Sequence, residues 1–270
     1  MKKGFLIVLL SLSLFSFGKA QVFDEVSFLH NLKTSYYLLI NQPVKNFVVK
    51  ITSAKMDAFT KENFDTTGIP VLQLVWRKPA DVFLSEIRFP FKMDIKQKAE
   101  YRELVDALKI QVKGIFLDLQ RFYLNGLINE NLMSDYILRH TEEAVQMTFK
   151  NIDRQGTNVK YLLGLNALCI LIDIEYPLQA KHMVIYPDFQ LVDKKWLCHG
   201  WTVQTLIKGE VESGFKLTIE YEKLNNIQLP VDFFLEVQKA EEKGKIFYDE
   251  IKFFDYQLNQ KIEIKENRKN

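Results

Sequence analysis

Soft and imidazole ligands are scarce in this chain. Among 270 residues there are two cysteines, Cys169 and Cys198, and four histidines, at positions 30, 140, 182 and 199. Cys198, His199 and His182 are the only set near enough to consider for a metal, and nothing in their spacing specifies a ligand geometry. Gly-x-Ser-x-Gly, His-Glu-x-x-His and glycine-rich phosphate loops are all missing, so neither a nucleophile nor a nucleotide site is signalled. Carboxylates are plentiful, but most alternate with lysines, as Glu220, Glu222 and Lys223 do. No pair stands out for glycoside hydrolysis. The expectation is a non-enzyme without a cofactor. Between Gln21 and Leu258 there is also no Gly-, Ser- or Pro-rich linker and no internal repeat, which favours one domain over 21–261.

Long apolar runs are missing too. The best of them, Phe5 to Phe17, is broken by serines and falls short of the ~20 residues that cross a bilayer. It follows the basic Lys2-Lys3 and precedes Gly18-Lys19-Ala20, which reads as a signal peptide over 1–20, cut after Ala20. No cysteine lies near that point to carry a lipid. Cleavage would remove three of the 36 basic residues and none of the 34 acidic ones, leaving a mature charge of about −1. Such a surface gives no electrostatic case for nucleic acid. Residues 262–270 read as a charged tail. Export permits Cys169 and Cys198 to pair, closing a loop worth roughly 2–4 kcal/mol. Free buried thiols explain them equally well.

What the chain has is patterned apolar surface, with 21 Phe and 11 Tyr. Phe215, Leu217, Ile219 and Tyr221 alternate with polar residues, a half-buried strand. Asn225-Asn226 reads as a turn into Leu229, Val231, Phe233, Leu235 and Val237. Lys243-Gly244 turns again into Phe247–Phe253, and Ser213-Gly214 joins the series to Trp201–Val211, completing an antiparallel meander. Upstream, Asp24–Ile40 reads as a helix capped by Asp24, and Phe47–Ile51, Val71–Arg77 and Val82–Phe89 as strands. Met56–Gly68 reads as a loop. Val105, Leu108, Val112, Ile115 and Leu119 recur at helical spacing, and a second helix is expected over Asn131–Lys150. Together these make a helical insertion at about 94–150. Tyr161–Leu165, Leu168–Tyr176 (with Cys169–Ile174 apolar on both faces) and His182–Val192 return to strand. The fold class is α+β: an antiparallel sheet with helices on it. The helical stripe and the dry strand residues Phe215, Leu217, Phe233 and Leu235 are expected to face one space.

Three stretches resemble the periplasmic outer-membrane lipoprotein carrier family (LolA-like proteins). They are the amphipathic start with Tyr36-Tyr37 before the strand Asn46–Thr52, the segment Leu72–Phe83 with Trp76 and Pro79, and Phe215–Tyr221 followed by Leu229-Pro230. The resemblance implies a strongly curved antiparallel sheet, an incomplete β-barrel covered by helices. It further implies a periplasmic carrier whose cavity takes lipoprotein acyl chains or another lipid, with inner- and outer-membrane partner proteins. Trp76 and Pro79 would then lie near the cavity. The family's arginine latch has no counterpart, because the corresponding strand and turn carry Lys50 and Lys55. The alternative is a structural or interaction protein of the envelope with the same sheet and a filled core.

Overall fold

The structure is a computed structural model that describes residues 23–128, 136–150, 157–239 and 245–261. The signal segment, the charged tail and the Lys243-Gly244 turn lie outside these residues.

The twelve described strands form one open antiparallel sheet. They are β1 (Asn46–Ser53), β2 (Leu72–Arg77), β3 (Asp81–Glu86), β4 (Tyr136–His140), β5 (Ala144–Lys150), β6 (Asn158–Gly164), β7 (Cys169–Tyr176), β8 (Lys181–Val192), β9 (Lys195–Ile207), β10 (Glu210–Leu224), β11 (Ile227–Lys239) and β12 (Ile246–Leu258). The order across the sheet is β3-β2-β1-β12-β11-β10-β9-β8-β7-β6-β5-β4. Every neighbour is a sequence neighbour except one. β1 pairs with β12, Ile51 facing Phe253 and Phe47 facing Leu258, so the first and last strands of the chain form a seam three strands in from the β3 edge. β3 and β4 are the edges.

Turns fall where residues tolerate positive φ. Asn225 and Asn226 sit at φ 51° and 64°, and Asp193 and Lys194 at 48° and 64°. Two successive positive φ values twist with the strands they join. The turn into β10 is Lys208-Gly209 rather than Ser213-Gly214; those two residues lie within β10, beside a register shift after Val211. Gly200 is required by close approach. A Cβ there would lie 2.0 Å from the Leu217 carbonyl oxygen, at a φ of +149°.

Among the described residues, three α-helices accompany the sheet. α1 (Glu25–Thr34) is capped by Asp24, which accepts from the Ser27 amide at 3.1 Å. It stops well before Ile40. The chain instead straightens to pair with β9, the Tyr37 amide donating to Trp196 and the Trp196 amide to Ser35. The Tyr36 hydroxyl then bridges, donating to the Ala167 carbonyl and accepting from the Cys169 amide, both at 2.7 Å.

α2 (Ala54–Phe64) replaces the expected loop at Met56–Gly68. Ser53, the last residue of β1, is its N-cap, and Met56, Phe59 and Thr60 are buried. α3 (Ile95–Leu119) opens on a capping box between Asp94 and Gln97. It runs into a π-helical turn, Gln120–Leu124, and Asn125 ends it.

The second expected helix, Asn131–Lys150, is overturned by β4 and β5, Met133 and its neighbours lying outside the described residues. Helical and strand spacings coexist there. Val145, Met147 and Phe149 alternate into the core, and full pairing with β6 satisfies their backbone as an isolated helix would not. Among the described residues, the helical region ends at Leu124, and Tyr136–His140 and Ala144–Lys150 are strand. β7 is buried on one face only: a bulge opposite Leu162-Leu163 sets Cys169, Ile172 and Ile174 on the core side and leaves Ile170 45% exposed. Among the described residues, no helix is long and apolar enough to cross a membrane.

Candidate functional site

One face of the sheet is dry along nearly its full width, and the residues singled out from the sequence gather against it. Val105, Leu108, Val112, Ile115 and Leu119 are 0–4% exposed. They belong to one buried cluster with Trp76, Leu217, Phe233 and Leu235, and Phe215 packs against its margin. Helical spacing of four and three puts the stripe on one side of α3. Contact with the sheet is direct where Phe116 stacks on Phe253, ring centres 6.2 Å apart, and Phe253 meets Phe233 at 4.6 Å. A polar clamp adds to this. Asp249 of β12, 5% exposed, receives Lys55 of α2 at 3.0 Å and Gln111 of α3 at 3.0 Å.

Pro79 stands apart. It lies on the exposed turn between β2 and β3, where it borders an open cleft of about 350 Å³ with Leu32, Leu38, Asn125 and Ile128. Trp76, on the same hairpin, points instead into the core and stacks on Phe47. Its indole N–H and that of Trp201 find no hydrogen-bond partner among the described residues, although both rings are fully buried. Orphaned buried donors of this kind cost ~1–3 kcal/mol each and are uncommon.

The charged group on this face was not foreseen. At the end of α3, Asp118 accepts from Arg121 Nη1 at 2.9 Å. Helical spacing makes residues three apart neighbours, and the π turn carries Arg121 toward Tyr161 of β6, with which its guanidinium interacts. The Arg121 side chain is 25% exposed and that of Asp118 16%, so the pair is partly open to water. Burial raises the Asp118 carboxyl above its ordinary range, opposed by Arg121. Burial likewise pushes the Tyr161 phenol up to about 12, so its hydroxyl stays protonated and can donate. Phe149 holds that ring edge-on at 5.0 Å. The signal was present as Asp118-x-x-Arg121 interrupting an apolar helix end, where a solvent-facing pair is the ordinary expectation.

The cysteines do not pair. Cys169 and Cys198 are free and buried. They sit on β7 and β9 with β8 between, and strands ~4.8 Å apart put their Cα atoms roughly 10 Å apart, beyond the ~7 Å limit for a bridge. Neither joins a metal set: no group of three His, Cys, Asp or Glu side chains converges among the described residues. His140 is exposed on β4 and stacks on Phe23 at 4.6 Å. The arrangement is a buried apolar face with one partly exposed ion pair at the end of α3. Comparison with family models, with curated proteins and with solved structures finds no match to this chain.

Proposed function

We propose that the protein is an exported, non-enzymatic carrier that shelters an acyl chain, of a lipoprotein or another lipid, between the dry face of the sheet and its helices. In this reading the sheet is strongly curved, an incomplete barrel with α2 and α3 across its opening. Signal cleavage leaves Gln21 first in a periplasmic protein, and membrane partners deliver and receive the cargo. The supporting observation is the single apolar cluster in which the α3 stripe meets the inward residues of the sheet, Trp76, Leu217, Phe233 and Leu235 among them. Each acyl methylene moved from water to such a surface contributes ~0.8 kcal/mol, enough for a long chain to bind without specific contacts.

The competing reading, an envelope interaction protein with a filled core, draws on the near-complete burial of the α3 stripe. One experiment separates them. Protein purified from the cell envelope is analysed by native mass spectrometry and N-terminal sequencing. The expected result is a chain beginning at Gln21 with co-purified lipid that a fluorescent fatty acid displaces. A lipid-free protein that binds no such probe would leave the filled core standing.

A further inference from the structure

We propose that the open cleft beside Pro79 is the docking site of this chain's own charged tail, residues 262–270, which enters it with Ile262 and Ile264. The proposal does not depend on the carrier reading. At about 350 Å³ the cleft lies at the lower end of the volumes in which proteins hold ligands. Of its lining residues, Leu38 is buried, Ile40 and Ile128 are half-buried, and Asn41, Pro79 and Ala80 are exposed. Apolar surface is thus open to whatever enters.

The path of the chain leads there. Past Leu258, which faces Phe47, the backbone keeps to the segment that precedes β1. The Asn259 amide donates to the Asn46 carbonyl at 2.9 Å, and the Lys45 amide donates to Asn259 Oδ1 at 2.6 Å. Asn259 Nδ2 donates to the Pro43 carbonyl at 3.2 Å, and Asn46 Nδ2 to the Gln260 carbonyl at 3.1 Å. These contacts run from Asn46 back to Pro43, and Asn41 on the cleft is at most ~7 Å of chain farther on. The antiparallel direction of β12 on β1 therefore aims the residues after Lys261 at the cleft. Its far side is tied to the same segment, because the Lys78 amide, next to Pro79, donates to the Lys45 carbonyl at 3.0 Å. Extended, residues 262–270 span roughly 30 Å, ample for the distance.

The tail also has the pattern of a docking strand. Ile262 and Ile264 are two apart, so an extended chain turns both to one side and Glu263 and Lys265 to the other. No other apolar side chain occurs in 262–270. A tether supplies an effective concentration on the order of millimolar, so even a shallow cleft suffices. A free lipid or a second copy competes without that advantage.

The test reads how accessible the cleft is in the mature full-length protein. Ala80→Cys places a thiol at an exposed lining position, while Cys169 and Cys198 are buried and keep the background low. Alkylation is timed in three chains carrying Ala80→Cys: one otherwise unchanged, one with Ile262→Ser/Ile264→Ser, and one ended after Lys261. Labelling is expected to be tenfold or more faster in the second and third than in the first. Asn41→Cys, also exposed, is a second reporter should Ala80→Cys disturb its turn, and the same order is expected. Equal rates in all three chains would overturn the proposal, as would a rate raised by truncation but not by the serine pair. Slow labelling that only lipid removal speeds would give the cleft to a lipid, and slow labelling that only dilution speeds would give it to a second copy. Either result overturns the tail as its occupant.

Discussion

At the scale of the residue, the thiols of Cys169 and Cys198 give the sharpest expectations. Burial pushes Cys169 up to about 12 and raises Cys198 as well. A thiol of that pKa is thiolate to only ~1 part in 10⁴ at pH 8. Native protein should therefore resist alkylation at pH 8, and protein unfolded in denaturant without reductant should take up two alkyl groups. Protection that persists after unfolding would mean a disulfide. The same shifts set a pH dependence. The unfolded thiols ionise near 8.5 while the folded ones do not, so the folded state binds more protons above that pH. The stabilisation is complete below about pH 8.5 and is lost as pH rises toward 12, at about 1.4 kcal/mol per unit for each thiol. The buried phenols of Tyr123, Tyr221 and Tyr256, all raised by burial, add the same sign from about pH 10. Urea midpoints should fall between pH 9 and 11, and less steeply in a Cys169→Ala/Cys198→Ala variant. An equal slope in both would disconnect the thiols from the effect.

At the scale of the element, α3 is the informative one. Its stripe is as closely packed as the sheet it meets, Val112 being 0% exposed. Val112→Trp adds a ring where none fits, and overpacking of this kind costs ~1–3 kcal/mol. In a chain of this size each kcal/mol lowers the melting temperature by about 2–4 °C. A clear drop in a thermal scan is the expected outcome. An unchanged melting temperature with weakened fatty-acid binding would reveal free volume beside Val112 and extend the ligand space along the helix. α2 shows why some elements escape sequence reading. Met56, Phe59 and Thr60 mark only a narrow buried stripe among charged residues, and Ser53 caps the helix while closing β1, so no turn residue separates the two. The cap and the three-residue step from Met56 to Phe59 were the available signals.

At the scale of the whole molecule, the seam between β1 and β12 governs assembly. Nine strands, β4 to β12, pair in order along the chain, whereas β1 waits for the last strand to be made. Such long-range pairing carries the entropy of closing a very long loop before any contact repays it. A chain ended before Ile246 should leave β1, β2 and β3 without their attachment and expose the dry face of β11, including Phe233 and Leu235. The expected outcome is loss of the cooperative thermal transition together with aggregation. A truncated protein that melts sharply at the parent temperature would show the seam to be dispensable.

Strand periodicity, the α3 stripe and the Asn225-Asn226 turn were legible because each depends on residues two to four apart, where local geometry and side-chain chemistry agree. The expected dry face of β10 and β11 appears as Leu217, Ile219, Phe233 and Leu235 in the core. By contrast, Tyr136–Lys150 satisfied two periodicities at once, and pairing with β6, a partner supplied from elsewhere in the chain, selected the strand. Bulges did the same to β7, turning Cys169 and Ile172 to one side where strict alternation separates them. The candidate site was legible in part. Its apolar wall could be read from spacing, but the place of Arg121 could not, since an i,i+3 ion pair looks alike on a wet or a dry helix face. Local sequence determined which segments would bury one side. Only the tertiary structure decided what each side met, because strand pairing, bulges and the enclosure of a charge depend on contacts between residues far apart in the chain.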